Sequence, residues 1–311
     1  MIINVALPYL PYLYKDSLDA YVSGRPVPFK QLTGSGGVNK LLRLYDHIKR
    51  SGYGQKPYIF GEVENGYLLI RGGYHRLSVL HKLGYKSVSV QLRSYDTRFE
   101  RFYQIMLGLQ KQGEIMYHPL DHWALSTWQV ERGKNRFALV KKHLSPGSVL
   151  DLGCYTGYFS NALACHGHHV TGVDHSDDAL FCAEYLADYY QSRNAMLEKW
   201  PLELGHLSSL PKFEKPTFIK SDVLTYLQKA EDTDYSLFFS VYRWLDDPKA
   251  VVRLLGEKTR LGIFADVKAG YEKELVRAVT TLTPFTEVRN IGIENGMSKN
   301  YRRGLFLFSR Q

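Results

Sequence analysis

The sequence contains no apolar run approaching the roughly 20 residues that a membrane-spanning helix needs, so no such span is expected. Cysteine is scarce. Cys154, Cys165 and Cys182 are the only three in 311 residues, and their spacing suits no metal site. An odd, thinly spread set argues against a disulfide framework and for a reducing, cytoplasmic setting with no structural metal. The start, MIINVALPYLPYLYKDS, has no basic segment ahead of a long apolar one, and Pro8 and Pro11 would break a signal helix. No secretory leader is therefore expected. Internal repeats and low-complexity tracts are lacking as well.

What is present is the make-up of a folded protein: 44% hydrophobic and 23% charged residues, in a chain long enough for two cores. The net charge of +9 is unevenly placed. Residues 1–111 hold 16 Lys and Arg against 7 Asp and Glu, while residues 112–311 hold 24 against 24. The excess lies wholly in the N-terminal third. It is either a merely solvated basic surface or a site for an anionic partner: a nucleotide, a phosphorylated glycan or nucleic acid.

Patterning divides the chain into residues 1–95, 96–147 and 148–311. In the first region Leu41, Leu42, Leu44, Tyr45 and Ile48 share a helical face within residues 39–51. Two strand-like runs, YIFGEV and YLLIRGG, flank a turn at Glu64, Asn65 and Gly66. A helix from His75 to Leu83 is stopped by Gly84, and SVSVQLRS follows as a strand. The second region reads as a helical connector or lid. Its stretch from Met116 to Trp123 is rich in aromatic and polar groups and is expected to pack over something. The third region alternates strand-like runs (SVLDLG, HVTGVD, TFIKSD, YSLFFSVY, LGIFADV, FTEVRNIGI, GLFLFSR) with helices. That order predicts a doubly wound α/β sheet, mainly parallel, with one antiparallel strand in the final pair.

The informative string is SVLDLGCYTGYF, residues 148–159. A buried strand runs into a glycine-bearing turn that opens a helix. Gly153 and Gly157 have no side chains, so a ligand can lie on the backbone. The next strand ends in Asp174, about 20 residues on, where such folds hydrogen-bond ribose hydroxyls. A dinucleotide site needs G-x-G-x-x-G so that pyrophosphate rests on the helix N-terminus. Here Asp151 precedes the first glycine and the second follows four residues later. A carboxylate at that point repels pyrophosphate and attracts the cationic amino end of S-adenosylmethionine.

VLDLGCYTGYFSNALACHGHHVTGVDHS resembles the first two motifs of class I S-adenosylmethionine-dependent methyltransferases. The resemblance covers residues 148–311. It implies a Rossmann-like, doubly wound seven-stranded sheet. It places Asp151, Gly153, Cys154, Tyr155, Thr156, Gly157 and Tyr158 around the methionine part, Asp174 on the ribose, and His175 and Ser176 beside the adenosine. Asp222 and Val223 would touch the adenine. Ser240, Val241 and Tyr242 would lie below the reactive methyl. In similar enzymes an Arg ahead of the first strand binds the cofactor carboxylate, and Arg132 or Arg136 fits that place; a solvated helix face is the alternative. The Asn/Asp-Pro-Pro-aromatic motif of base-methylating relatives is replaced by Ser240, Val241, Tyr242 and Arg243. O-methylation of a small-molecule or glycan-type acceptor is favoured instead.

Residues 40–95 resemble the ParB/sulfiredoxin-like fold, a smaller α+β domain in which a G-x-x-R element at a helix start binds nucleotide phosphates. Gly73, His75 and Arg76 would be the anion contacts, since free helix-start N–H groups and a guanidinium suit phosphate. A fold relic with no ligand is the alternative.

For a hydroxyl acceptor the expected base is His122 or His118, with Asp246 next. Each has a bland alternative: packing or surface for the histidines, helix capping before Pro248 for Asp246 and Asp247. Arg243 is a candidate for orienting an anionic acceptor. Two other functions remain open: a nucleic-acid methyltransferase gripping the backbone with its basic region, and a non-catalytic cofactor-binding scaffold.

Overall fold

The computed structural model describes residues 1–25, 27, 37–54, 59–111, 120–128, 134–210, 213–295 and 302–310. The elements in chain order are β1 (Ile2–Ala6), α1 (Lys15–Val22), α2 (Gly37–Ser51), β2 (Ile59–Glu64), β3 (Tyr67–Gly72), α3 (Tyr74–Lys82), β4 (Ser87–Ser94), α4 (Thr97–Lys111), α5 (Lys134–Lys141), β5 (Ser148–Leu152), α6 (Tyr158–Ala164), β6 (His169–Asp174), α7 (Asp177–Lys199), α8 (Pro201–Leu204), β7 (Thr217–Lys220), α9 (Val223–Leu227), β8 (Thr233–Phe239), α10 (Pro248–Lys258), β9 (Thr259–Lys268), α11 (Glu272–Leu282), β10 (Glu287–Asn295) and β11 (Arg302–Ser309). No helix among the described residues is long and apolar enough to cross a membrane.

The chain forms two compact units. One comprises Met1–Tyr103, Asp121–Gln129 and Ser192–Ser209; the other comprises Gln104–Leu120, Val130–Gln191 and Leu210–Gln311. This differs from three consecutive segments divided near residues 95 and 147. The reason is local bonding that sequence order hides. Arg193 donates to Asp121, Lys199 pairs with Glu64, and the Arg71 guanidinium lies 4.5 Å from the Trp200 ring centre. These contacts join residues 192–209 to the first unit. The expected connector is shared between the two units.

In the first unit a four-stranded sheet runs β1-β4-β2-β3. Strands β2 and β3 form the expected hairpin. Asn65 and Gly66 both take positive φ (49° and 80°), the twist that matches a two-residue antiparallel turn. Strand β1 and helix α1 were not foreseen. Both are short, five and eight residues, and Pro8 and Pro11 lie between them, so neither shows a long periodic pattern.

The second unit is the expected doubly wound sheet, in the order β10-β11-β9-β8-β5-β6-β7. Strands β5 to β9 pair in parallel, and β11 is antiparallel to both neighbours. Successive side chains on a strand face opposite sides. Thus Leu150, Leu152, Phe238, Ile263 and Ala265 join one core beneath α10 and α11, while Val149, Leu237, Phe239 and Phe264 join the other beneath α5 and α6. Each fully buried large side chain contributes about 1.5–3 kcal/mol. Strand order reverses between β5 and β8, and a cavity opens there at the carboxyl ends of the strands, as the topology requires.

Candidate active site

The glycine turn after β5 is dictated by space and by backbone angle. Gly153 has φ +70°, and a Cβ there would lie 2.5 Å from Val241 Cγ2. Gly157 has φ +73° as it opens α6, and its Cβ would lie 2.6 Å from that of Ala183. Both positions demand glycine. Tyr155 takes φ +50°, and its N–H donates to Asp174 Oδ2 at 2.9 Å. Ser176 N–H donates to the other oxygen at 2.9 Å. The end of β6 is thereby tied to the turn after β5, and the Asp174 carboxylate is fixed at the cavity wall.

Asp151 is buried near the end of β5, where it accepts from Ser160 Oγ at 2.6 Å. Burial pushes its pKa up to about 6, against the opposing effect of the Ser160 hydrogen bond. A nearby cation would reverse that shift. Burial, followed by the charges of Asp151 and Asp174, also pushes the Cys154 thiol up, so it stays neutral and acts as filler rather than nucleophile.

A cavity of about 620 Å³ opens beside this turn in the second unit.

 The 620 Å³ cavity is lined by Asp151, Gly153, Cys154, Tyr155, Asp174, His175, Asp222, Val223, Ser240 and Val241, together with Arg136, Phe159, Ser221, Phe239, Arg243, Trp244, Leu245 and Arg303. Most of the expected cofactor residues therefore meet at one place. Asp222 lines it while its carboxylate caps α9, accepting from Leu224 N and Thr225 N. His175 is exposed at the rim, with Nδ1 3.6 Å from Asp174 Oδ1.

Other expectations are placed elsewhere. Thr156, Gly157, Tyr158 and Ser176 shape the turn and the start of α7 without lining the cavity. Tyr242 points into the core beneath α10, where its hydroxyl donates to Glu274 Oε1 at 3.0 Å, and burial pushes its pKa up to about 12. Asp246 is exposed and outside the lining, and Asp247 caps α10 through Ala250 N. The assignment of His122 as base requires correction. It lies fully buried in the first unit among Phe99, Phe102 and Trp123, its Nδ1 accepting from Ala124 N. Burial drives its pKa down to about 3, so it is a neutral packing residue. His118 and Arg132 lie outside the described residues.

The sequence reading missed a buried cluster at the far wall. Asp266, on β9, meets Arg136 of α5 at 3.1 Å and Arg303 of β11 at 3.5 Å. Ser240, held at φ +64°, donates its N–H to Asp266 Oδ1 and accepts from Arg303 Nη1 at 2.7 Å. These residues are far apart in sequence, and no local motif announces them. Among the described residues, no group of three or more His, Cys, Asp or Glu is placed to hold a metal.

In the first unit, Gly73 opens α3 with φ +97°, and a second cavity of about 740 Å³ adjoins it. Its lining includes the expected Gly73, His75 and Arg76, joined by Lys40, Arg43 and His47 from α2, with no acidic residue among the described ones. His75 stacks on Tyr14 with ring centres 4.8 Å apart, and burial, then Lys40 and Arg76, lower its pKa.

Residues 122–263 match the family model described as a methyltransferase domain. Over that span the chain carries such a domain. No curated protein matches the chain. Among solved structures, it is similar to the bifunctional kinase-methyltransferase WbdD, with 17% identity and a TM-score of 0.47 over 66% of this chain and 46% of that one. It is also similar to magnesium protoporphyrin IX methyltransferase (ChlM) from Synechocystis PCC 6803 with bound SAM, with 17% identity and a TM-score of 0.42 over 70% and 92% of the two chains. The N-terminal domain of EvdMO1, solved with SAH and D-fucose, gives 14% identity and a TM-score of 0.43 over 57% and 82%. The aligned part spans under half the length of WbdD.

Proposed function

We propose that the chain is an S-adenosylmethionine-dependent methyltransferase acting in the cytoplasm on an oxygen of a small-molecule or glycan-type acceptor. The observation that carries this reading is the acid-walled glycine bend at the strand-order switch point. Asp151 and Asp174 put negative charge beside a turn where Gly153 leaves the backbone bare, which fits a sulfonium amino acid joined to a nucleoside. Asp151 would face the ammonium group, Asp174 the ribose, and Ser221, Asp222 and Val223 the adenine. When bound, the cofactor supplies an electrophilic methyl group. The chain's part is to hold the acceptor oxygen in line with it and to exclude water.

Calorimetry with S-adenosylhomocysteine tests the site. Asp174→Ala should weaken binding about 30-fold or more, corresponding to about 2 kcal/mol for a charged hydrogen-bond partner. Unchanged affinity in a folded variant would sink the assignment.

The basic cavity of the first unit supports a second element of this proposal, a bound phosphate group, in keeping with the resemblance to ParB/sulfiredoxin-like domains. Helix-start N–H groups and the Lys40, Arg43 and Arg76 side chains suit a phosphorylated or nucleotide ligand. Tripolyphosphate should bind, and Arg76→Ala should weaken it about tenfold. A wild-type protein that binds none would overturn the idea.

A further inference from the structure

The end of β8 and the segment after it give the cavity of the second unit an apolar side. Phe239, Val241, Trp244 and Leu245 all line it, whereas Asp151, Asp174 and Asp222 stand at the ends of β5, β6 and β7. The segment is held at two points. Val241 packs against the glycine bend, where a Cβ on Gly153 would come within 2.5 Å of its Cγ2. Tyr242 is buried, with its hydroxyl donating to Glu274 Oε1 at 3.0 Å. The Trp244 N–H then closes a tight turn on the Val241 carbonyl at 2.8 Å. From this fixed backbone the Trp244 side chain projects into the open: it is 72% exposed, while Trp123 is buried and Trp128 and Trp200 are partly covered. Folding gains little from an indole left in water. The Arg243 guanidinium lies 4.3 Å from the Trp244 ring centre, so it takes one face of the indole, steadies the ring and leaves most of it uncovered. A steadied indole at the rim of a cavity offers a flat apolar surface at little ordering cost.

We infer that Trp244 is the stacking platform of the acceptor, and that the acceptor presents a ring whose flat face lies against the indole: an aromatic ring, or a sugar ring on its C–H face. This rests on the methyltransferase reading for the word acceptor, but the preference for a ring is a property of the exposed indole itself. The cofactor's adenine belongs with Ser221, Asp222 and Val223 beyond β7, three strands along the sheet from β8, so the indole is free for a second molecule. Trp244 selects by contact, and Val241 and Tyr242 act as positioning residues that fix the turn carrying it.

The test uses the full chain with S-adenosylhomocysteine present. Uncharged ring probes are set against open-chain partners: 4-hydroxybenzyl alcohol against 1,6-hexanediol, and methyl β-D-galactoside against galactitol. Binding is read by saturation-transfer NMR on the probe, and Trp fluorescence locates it. At least one ring probe should bind about fivefold or more tightly than its open-chain partner, and which one does so tells an aromatic acceptor from a sugar. Trp244→Leu should weaken that probe about fivefold or more, whereas Trp244→Phe, which keeps a flat ring, should stay within about threefold of wild type. The fluorescence change of the wild type should vanish in Trp244→Phe. Both variants should bind S-adenosylhomocysteine within about twofold of wild type, since the acid side of the cavity is untouched. Ring probes that bind no better than their open-chain partners overturn the inference, as does a Trp244→Leu variant that binds them like wild type. Displacement of the ring probe by S-adenosylhomocysteine overturns it too, because the indole would then be serving the cofactor. If S-adenosylhomocysteine does not bind even the wild type, the cofactor reading fails alone, and the same titrations on the ligand-free chain still decide whether Trp244 selects rings.

Discussion

A buried carboxylate with a raised pKa makes ligand affinity depend on pH in a direction that can be worked out. Asp151 titrates at about 6, held up mainly by burial. An ammonium group beside it favours the ionised form, so binding must release the proton below that pH. S-adenosylhomocysteine affinity should therefore rise by up to tenfold per pH unit between pH 5 and 6 and level off above about 7. Asp151→Asn should bind more weakly and show a flat profile in calorimetry. A sloping profile in that variant would assign the titration to another group. His122 makes the complementary case for stability. Its pKa falls from 6.5 to about 3 on folding, so the unfolded chain binds the extra proton between those values. Its contribution is intact above about pH 6.5 and is lost as pH falls, at up to about 1.4 kcal/mol per pH unit. Urea unfolding of His122→Phe from pH 7 to 4.5 should show a shallower loss than wild type. The glycine turn, Asp151 and Asp174 were legible in sequence because their chemistry is local. His122 was not, because nothing in its neighbourhood reveals that Phe99 and Phe102 enclose it.

At the level of elements, α5, β9 and β11 meet through Arg136, Asp266 and Arg303, all nearly inaccessible to solvent. Desolvated charges depend on their partners, so replacing the shared carboxylate takes an anion away from two buried guanidiniums. Asp266→Asn should cost about 3–5 kcal/mol in urea unfolding, well beyond a lost surface ion pair. A cost under about 1 kcal/mol would mean that other groups balance the arginines. The strands that carry this cluster were read correctly from alternation and order. The cluster itself arises from residues 130 positions apart in the fold's edge pairing, as between Arg136 and Asp266. Arg303 also closes the polar run that separates the last two strands, where it reads as loop. Helix α7 is likewise foreseeable as a helix, but the membership of residues 192–209 in the first unit depends on Asp121, Glu64 and Arg71, which are distant in sequence.

Over the whole molecule, the partition of charge predicts two ligands with opposite responses to salt. The first 111 residues carry the entire excess of +9, and the cavity beside α3 has basic but, among the described residues, no acidic lining. The remaining residues balance at 24 against 24, and the other cavity sets three aspartates against three arginines. Exposed charges such as Lys40 and Arg43 are screened within about 8 Å at physiological ionic strength, whereas enclosed ones are screened far less. Tripolyphosphate binding should therefore weaken severalfold between 50 and 300 mM salt, values chosen to take the screening length from above to below the usual ~10 Å. S-adenosylhomocysteine binding should change less than about twofold over the same range, because its charged groups meet partners at short range inside a balanced wall. Duplex DNA titrated alongside separates a phosphate subsite from a nucleic-acid surface, since backbone contacts at several phosphates give a steep, near-linear fall of log affinity with log salt. A steep DNA slope with tight low-salt binding would favour a nucleic-acid acceptor over a small one. Weak, shallow DNA binding beside saturable tripolyphosphate binding would confine the basic excess to the cavity formed by α2 and α3.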